Sequence, residues 1–312
     1  MMLNDATTLY MQIVQASGCS GVSLNEVLRH FAKFVGNERD LNSISPQEVR
    51  TFLDGNRPLN RYWHRKYSAL RGLFRFALAR GLVSRIPLPV TTPRVHQSFC
   101  PYVYSDADID RLVDAIDNLR TTSMIEPRTL RTLVLLLYAT GLRLSEALQL
   151  SLTDVDLQQN LLTIRETKFY KTRLVPIGTH MADILREHVE TFHRSRDADP
   201  EAPLLVRRDR RRLSASGARR AFARLRSKAH IQRSDAARYQ PRLHDFRATF
   251  AVHRLTTWYR QGADVQRLLP LLSTYLGHAS IAATQVYLPL IPELLIEASI
   301  RFERYAAPEE LP

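Results

Sequence analysis

Along residues 1 to about 90, apolar positions recur at helical spacing with polar residues between them. Leu24, Val27, Leu28, Phe31 and Val35 make one such stripe, with Ser23 placed as its N-cap. Ser45-Pro46 followed by Glu48 opens a second helix through Val49 and Phe52, with proline in the first turn. Gly55-Asn56-Arg57-Pro58 breaks that pattern, and a third helix is expected over about 59–80. From Ile86 onward, prolines at 87, 89, 93 and 101 favour extended backbone and a semi-rigid linker. The pattern divides the chain into a helical domain over 1–93, a linker over 94–103 and a second domain over 104–312.

In the second domain, Ser105 caps a helix carrying Ile109, Leu112 and Ile116, and Leu130, Leu133, Val134 and Leu137 form a stripe that Gly141 ends. Three short runs rich in strand formers follow: Val155–Leu157, Leu161–Arg165 and Arg173–Ile177. Polar turns join them, which predicts a small antiparallel sheet. Helices resume over about 179–192, 214–230, 242–260, 264–272, 280–287 and 292–305. The expected fold class is mainly α, with one small sheet confined to the second domain.

A chain of 312 residues suits about two domains. With 45% hydrophobic and 24% charged residues it can bury a core, which excludes general disorder. The longest apolar run, Leu133–Ala139, falls far short of the roughly 18 residues a membrane span needs. Met1–Asp5 lacks a basic segment leading into an apolar one, so no secretory signal is expected and a cytoplasmic setting fits. Cys19 and Cys100 are too few for a disulfide framework or a cysteine zinc site.

Charge changes the picture most. The net charge is +13, and only five of the 44 basic residues are lysines. An excess of this size favours a polyanionic partner, nucleic acid foremost, because neutralised phosphates release counterions. No Asp or Glu occurs between Gly55 and Ser105, where Arg57, Arg61, Arg65, Lys66, Arg71 and Arg75 recur near helical spacing. A second block, Arg207 to Lys228, contains Asp209 as its only acid. Two nearly acid-free blocks point to surfaces that follow a DNA backbone.

Four local patterns carry the chemistry. Thr140-Gly141-Leu142-Arg143 sets an arginine at a junction between helices, with Glu146 three residues on to orient it. Thr167-Lys168-Phe169-Tyr170-Lys171-Thr172-Arg173 occupies the turn between two strands. His244-Asp245-Phe246-Arg247 places His and Arg side by side at helical spacing. Leu276-Gly277-His278 is followed nine residues later by Tyr287. Singly these are weak signals, since Tyr287 is one of 12 tyrosines.

In this order and spacing the set resembles the tyrosine recombinases, the phage-integrase-like and Xer-like site-specific recombinases. The resemblance covers nearly the whole chain. It implies a helical, SAM-like core-binding domain, a linker and a catalytic domain. It also implies strand exchange on double-stranded DNA by a homotetramer, or by a heteromer with related recombinases, without membrane, metal or cofactor. Arg143 and Arg247 would hold the scissile phosphate with fixed, always-charged donors. Tyr287 would attack it to form a 3′-phosphotyrosyl link. Lys168 would protonate the leaving 5′-oxygen, with Lys171 as the alternative, while His244 and His278 would act on the phosphate and in proton transfer. Glu146 matches the acidic position behind the arginines.

The chain departs from the family pattern in two places. Ala248 follows Arg247 where many members carry His. The stretch before His278, containing Pro270 and Ser273-Thr274, is about a helical turn longer than in Xer-like members. The segment before Ser23 is short, so an additional arm-binding domain is not expected there. Integration, excision or transposition of a mobile element is the expected role. Type IB topoisomerase-like relaxation and a non-catalytic DNA-binding accessory protein are the alternatives; the core-binding domain and compact spacing weigh against the first, and the complete catalytic set weighs against the second.

Overall fold

The computed structural model describes residues 1–291 except 20, 57–58, 95–99, 120–123, 166–171, 194–198, 236 and 238, together with 296 and 299. The described residues fall into two compact units that divide between residues 94 and 100.

The first unit is a four-helix assembly: α1 (Leu3–Ala16), α2 (Val22–Val35), α3 (Pro46–Asp54) and α4 (Arg61–Ala79). Its core gathers Leu28, Phe31, Phe52, Leu70, Leu73 and Phe74, with Phe31 edge-on to Phe52 at 5.0 Å between ring centroids. α3 starts where local chemistry requires. Ser45 accepts from the Glu48 amide, and Glu48 accepts from the Ser45 amide at 2.9 Å, a reciprocal cap with Pro46 in the first turn. α2 differs from the sequence expectation. Its N-cap is Gly21, not Ser23, which lies inside the helix. The tight reversal from α1 needs a left-handed residue there (φ 61°), and a Cβ at Gly21 would come within 2.6 Å of Met11. α1 itself buries Leu3 and Ala6, so the residues before Ser23 belong to the bundle.

The second unit comprises α5 (Asp106–Asp117), α6 (Pro127–Thr140), α7 (Leu144–Gln149), α8 (Thr179–Phe192), α9 (Ala215–Lys228), α10 (Asp245–Arg260), α11 (Val265–Leu276) and α12 (Ala282–Gln285). Its sheet is β1 (Val155–Asp156), β2 (Leu161–Ile164) and β3 (Arg173–Pro176), antiparallel in the order β1-β2-β3. The β2–β3 register pairs Leu161 with Pro176 and Ile164 with Arg173, so the hairpin is closed at Arg173. α6 is the central helix. Leu133, Val134, Leu136 and Leu137 are wholly buried, and α6 packs on α5, α8 and α10.

Three helix expectations change. α11 continues to Leu276 with Pro270 inside it, because flanking Leu269, Leu272 and Leu276 are buried and packing outweighs the lost hydrogen bond. α10 starts at Asp245, after a turn that Arg242 and Asp245 hold together. The expected helix over 280–287 shrinks to α12, followed by a 3-10 turn at Leu288–Leu290, so Tyr287 sits on a turn. The expected helix over 292–305 lies almost entirely outside the described residues. Among the described residues, no helix is long and apolar enough to cross a membrane.

Candidate active site

Gly141 ends α6 in the left-handed conformation (φ 62°), and Arg143 becomes the N-cap of α7. A side chain at 141 would stand 2.7 Å from Phe250, so only glycine lets α10 approach the junction. Glu146 accepts from the Arg143 amide at 2.9 Å and from its Nη1 at 2.7 Å, which fixes the side chain at the helix entrance. Arg247, in the first turn of α10, is 3% exposed. Its Nη1 donates to the Gly141 carbonyl at 2.9 Å and its Nη2 to the Leu276 carbonyl at 2.6 Å.

The C-terminus of α11 draws the arginines together. The last carbonyls of a helix lack partners within it and carry its negative dipole end. Here three consecutive carbonyls each accept from a guanidinium: Tyr275 from Arg173 Nε at 2.9 Å, Leu276 from Arg247, and Gly277 from Arg143 Nη2 at 2.9 Å. Gly277 closes the helix with φ 67° and delivers His278, whose Nδ1 lies 2.6 Å from the buried Thr284 hydroxyl. The His278 and Tyr287 ring centroids are 6.2 Å apart.

Electrostatics follow from this crowding. Burial, then the nearby Arg143 charge, pull the Arg247 pKa down to about 10, which still leaves it charged at neutral pH. Burial would raise Glu146, but hydrogen bonds and charge from Arg173 and Arg143 more than offset it and hold the carboxyl below its usual range. Burial, reinforced by Arg247 and Arg143, pushes His278 down to about 4. His244, the N-cap of α10, is exposed, yet the protein packed around its ring and then the charge of Arg247 lower its pKa. Burial raises the Tyr287 phenol, and Arg247 opposes that shift by charge and hydrogen bonding. At neutral pH the site therefore holds charged guanidiniums, neutral imidazoles and a protonated phenol.

The depressed histidines have a measurable consequence. His188, buried between Thr132 and the Leu204 carbonyl, is also pushed down to about 4 by burial. Unfolded, both His188 and His278 take up protons near 6.5. Between those values the unfolded chain binds more protons than the folded one, so stability is full above about 6.5 and falls as pH drops toward 4. The melting temperature is expected to fall steadily from pH 6.5 to 5, and a flat profile would contradict both assignments.

The structure thus brings together Arg143, Glu146, Arg247, His278 and Tyr287, with His244 at the edge. Lys168 and Lys171 lie outside the described residues, as does Arg57. Arg173, named in its motif but given no role, is the site residue that sequence reasoning missed. The signal lay in the strand alternation, since Arg173 shares the inward face of β3 with buried Val175 while Leu174 points outward. Among the described residues, no group of three or more His, Cys, Asp or Glu could hold a metal ion.

The first unit keeps four of the expected DNA contacts at its surface. Arg61, Arg65, Arg71 and Arg75 are exposed along α4. Lys66 is not: its Nζ donates to the Phe52 and Leu53 carbonyls at 2.6 and 3.2 Å and lies over the Phe52 ring. It closes the C-terminal turn of α3.

Comparison with known proteins agrees with this architecture. Residues 103–292 match the phage integrase family. The integrase/recombinase y4rB of Sinorhizobium fredii is 37% identical over 247 residues, 78% of this chain and 78% of that protein. The tyrosine recombinase XerA of Thermococcus kodakarensis is 31% identical over 259 residues, covering 83% of this chain and 81% of that one. Among solved structures, the Tn1549 transposon integrase in complex with a circular intermediate DNA shares the fold, with a TM-score of 0.67 and 15% identity over 90% of this chain and 94% of that one. The chain belongs to the phage integrase family and is a tyrosine recombinase.

Proposed function

We propose that Tyr287 cuts and rejoins DNA strands at a specific site, with Arg143 and Arg247 holding the scissile phosphate. The observation that carries this reading is the convergence of guanidiniums on the end of α11 beside Tyr287. A pentavalent phosphorane is dianionic, and preorganised cations in a partly dry site stabilise it as charge develops. Tyr287 Oη forms a bond to phosphorus while the bond to the 5′-oxygen breaks. The phenol is protonated at neutral pH and needs a base, and neutral His278 beside it can take that proton. Lys168 gives a proton to the departing 5′-oxygen. The phosphotyrosyl link keeps the bond energy, so a second 5′-hydroxyl can reverse the step without a nucleotide cofactor.

Exchange between two duplexes requires four cuts, and four protomers supply four copies of Tyr287. A homotetramer on paired sites is therefore the proposed assembly, acting on DNA in the cytoplasm and associated with the nucleoid. The integrase naming of the relatives favours mobile-element integration or excision. The test is a nicked suicide duplex carrying the target site, recovered from genomic DNA covalently bound to the protein. An SDS-stable 3′-adduct that depends on that site supports the reading. Sequence-independent relaxation of supercoils by a monomer would favour the topoisomerase-like alternative instead.

The exposed arginines of α4 are proposed phosphate contacts. Replacing Arg61, Arg65 and Arg71 together with Ala is expected to weaken binding to many sequences. The slope of log affinity against log salt should flatten by roughly one unit per lost contact. Lys66→Ala should leave the slope alone and cost about 1 kcal/mol of stability through the uncapped carbonyls of α3. Titrations in several salt concentrations, with melting curves, separate the two, and unchanged slopes in the triple variant would make these arginines a solvated face.

A further inference from the structure

The structure assigns to Arg173 the role of a positioning residue that leaves Arg143 free to act on phosphate, an inference that rests on the reading of the site above. Arg173 is the only one of the three convergent guanidiniums on the sheet. It is the first residue of β3, and its side chain is 12% exposed. Its Nη2 donates to Glu146 Oε2 at 2.8 Å, its Nη1 to Glu146 Oε1 at 3.2 Å, and its Nε to the Tyr275 carbonyl. One planar fork therefore grips both oxygens of a buried carboxylate and the end of α11 at once, which lysine's single ammonium cannot do.

Charge accounting shows what this grip does. Arg143 also bonds Glu146, at 2.7 Å. With no other partner, a buried carboxylate at that distance would cancel much of the Arg143 charge that a phosphate needs. Arg173 supplies the second cation. The cluster Arg143, Arg173, Arg247 and Glu146 then carries a net charge of +2, matching a dianionic phosphorane. Without Arg173 the net charge is +1. The carbonyls of Tyr275, Leu276 and Gly277 offset the mutual repulsion of the three guanidiniums.

Position adds a second consequence. Arg173 pairs with Ile164 at the turn end of the β2–β3 ladder, so it ties the strand end that leads out of the lysine-bearing segment to Glu146 and to the segment leading into His278. Close approach is built in here too, because a Cβ at Gly277 would lie 2.8 Å from Arg173 Nη1.

The test uses the full-length protein on a nicked suicide duplex, reading the single-turnover rate of adduct formation, DNA affinity and melting temperature. Arg173→Gln is expected to slow cleavage by about 10–100-fold, the range for residues that orient ligating groups from behind, with DNA affinity little changed. Arg173→Lys should recover part of the rate by restoring the charge. The discriminating variant is Glu146→Gln combined with Arg173→Gln. Removing the carboxylate's charge removes its claim on Arg143, so the double variant should cleave faster than Arg173→Gln alone. A purely structural residue would give a double variant no faster than the single and a lysine variant no better than glutamine, and that result, or wild-type cleavage by Arg173→Gln, overturns the inference. If the unmodified protein forms no adduct, or Tyr287→Phe forms one, the fault lies in the underlying reading instead.

Discussion

Tyr287→Phe is expected to bind DNA as the unmodified protein does and to yield no covalent adduct at all. The substitution removes one oxygen. The ring packs beside the cluster of Phe250, Leu255, Leu272 and Ile291, and those contacts are unchanged in phenylalanine. The hydroxyl is the only group that the substitution takes from Arg247, whose two anchoring bonds run to backbone carbonyls. The fold and the phosphate cradle should therefore survive while the nucleophile is lost. Tyr275 cannot take over. It is stacked on Phe250 at 5.3 Å, its hydroxyl donates to the Pro176 carbonyl at 3.3 Å, and burial pushes its pKa up to about 12. Gel analysis under SDS, beside a binding titration, is the measurement. An adduct that persists in Tyr287→Phe would move the nucleophile elsewhere.

What the sequence made legible was mostly local. Ser45-Pro46 with Glu48, and Ser105 with Asp108, are caps whose partners lie three residues apart, and both form as read. α8 spans Thr179–Phe192 because its apolar stripe is regular and uninterrupted. Arg143 and Glu146 were legible for the same reason, since residues i and i+3 meet on a helix. The features that escaped depend on contacts distant in sequence. Nothing near Lys66 announces that it closes the end of α3 fourteen residues earlier. Arg173 finds Glu146 and Tyr275 only after the sheet docks on α7 and α11. α11 runs through Pro270 because tertiary burial of its leucines outweighs a local breaker. The full convergence on three successive carbonyls is a property of packing, with no trace in spacing.

Lys168→Ala should be the most severely impaired variant after loss of the nucleophile, and its defect should vanish on one particular substrate. The hairpin base is fixed: Ile164 pairs with Arg173, and Arg173 is gripped by Glu146. Residues 166–171 lie outside the described residues, so the choice of Lys168 over Lys171 rests on its position in the family motif, and the substrate test decides it. Lysine is scarce in this chain, and two of the five occur in this one turn. A 5′-alkoxide is a poor leaving group and needs a proton as the bond to phosphorus breaks. A sulfur in the same bridging position leaves readily without one. Lys168→Ala should therefore cleave ordinary DNA about 10²–10⁴-fold more slowly, the range for loss of a general acid, and should approach the unmodified rate on a 5′-bridging phosphorothiolate. Lys171→Ala should show at most a modest loss on both substrates, because a residue that only binds the backbone affects them alike. Loss of a residue that holds the phosphate, such as Arg143, should also persist on both. Rescue of Lys171→Ala in place of Lys168→Ala would transfer the proton to that lysine, and rescue of neither would take the hairpin out of the proton-transfer step.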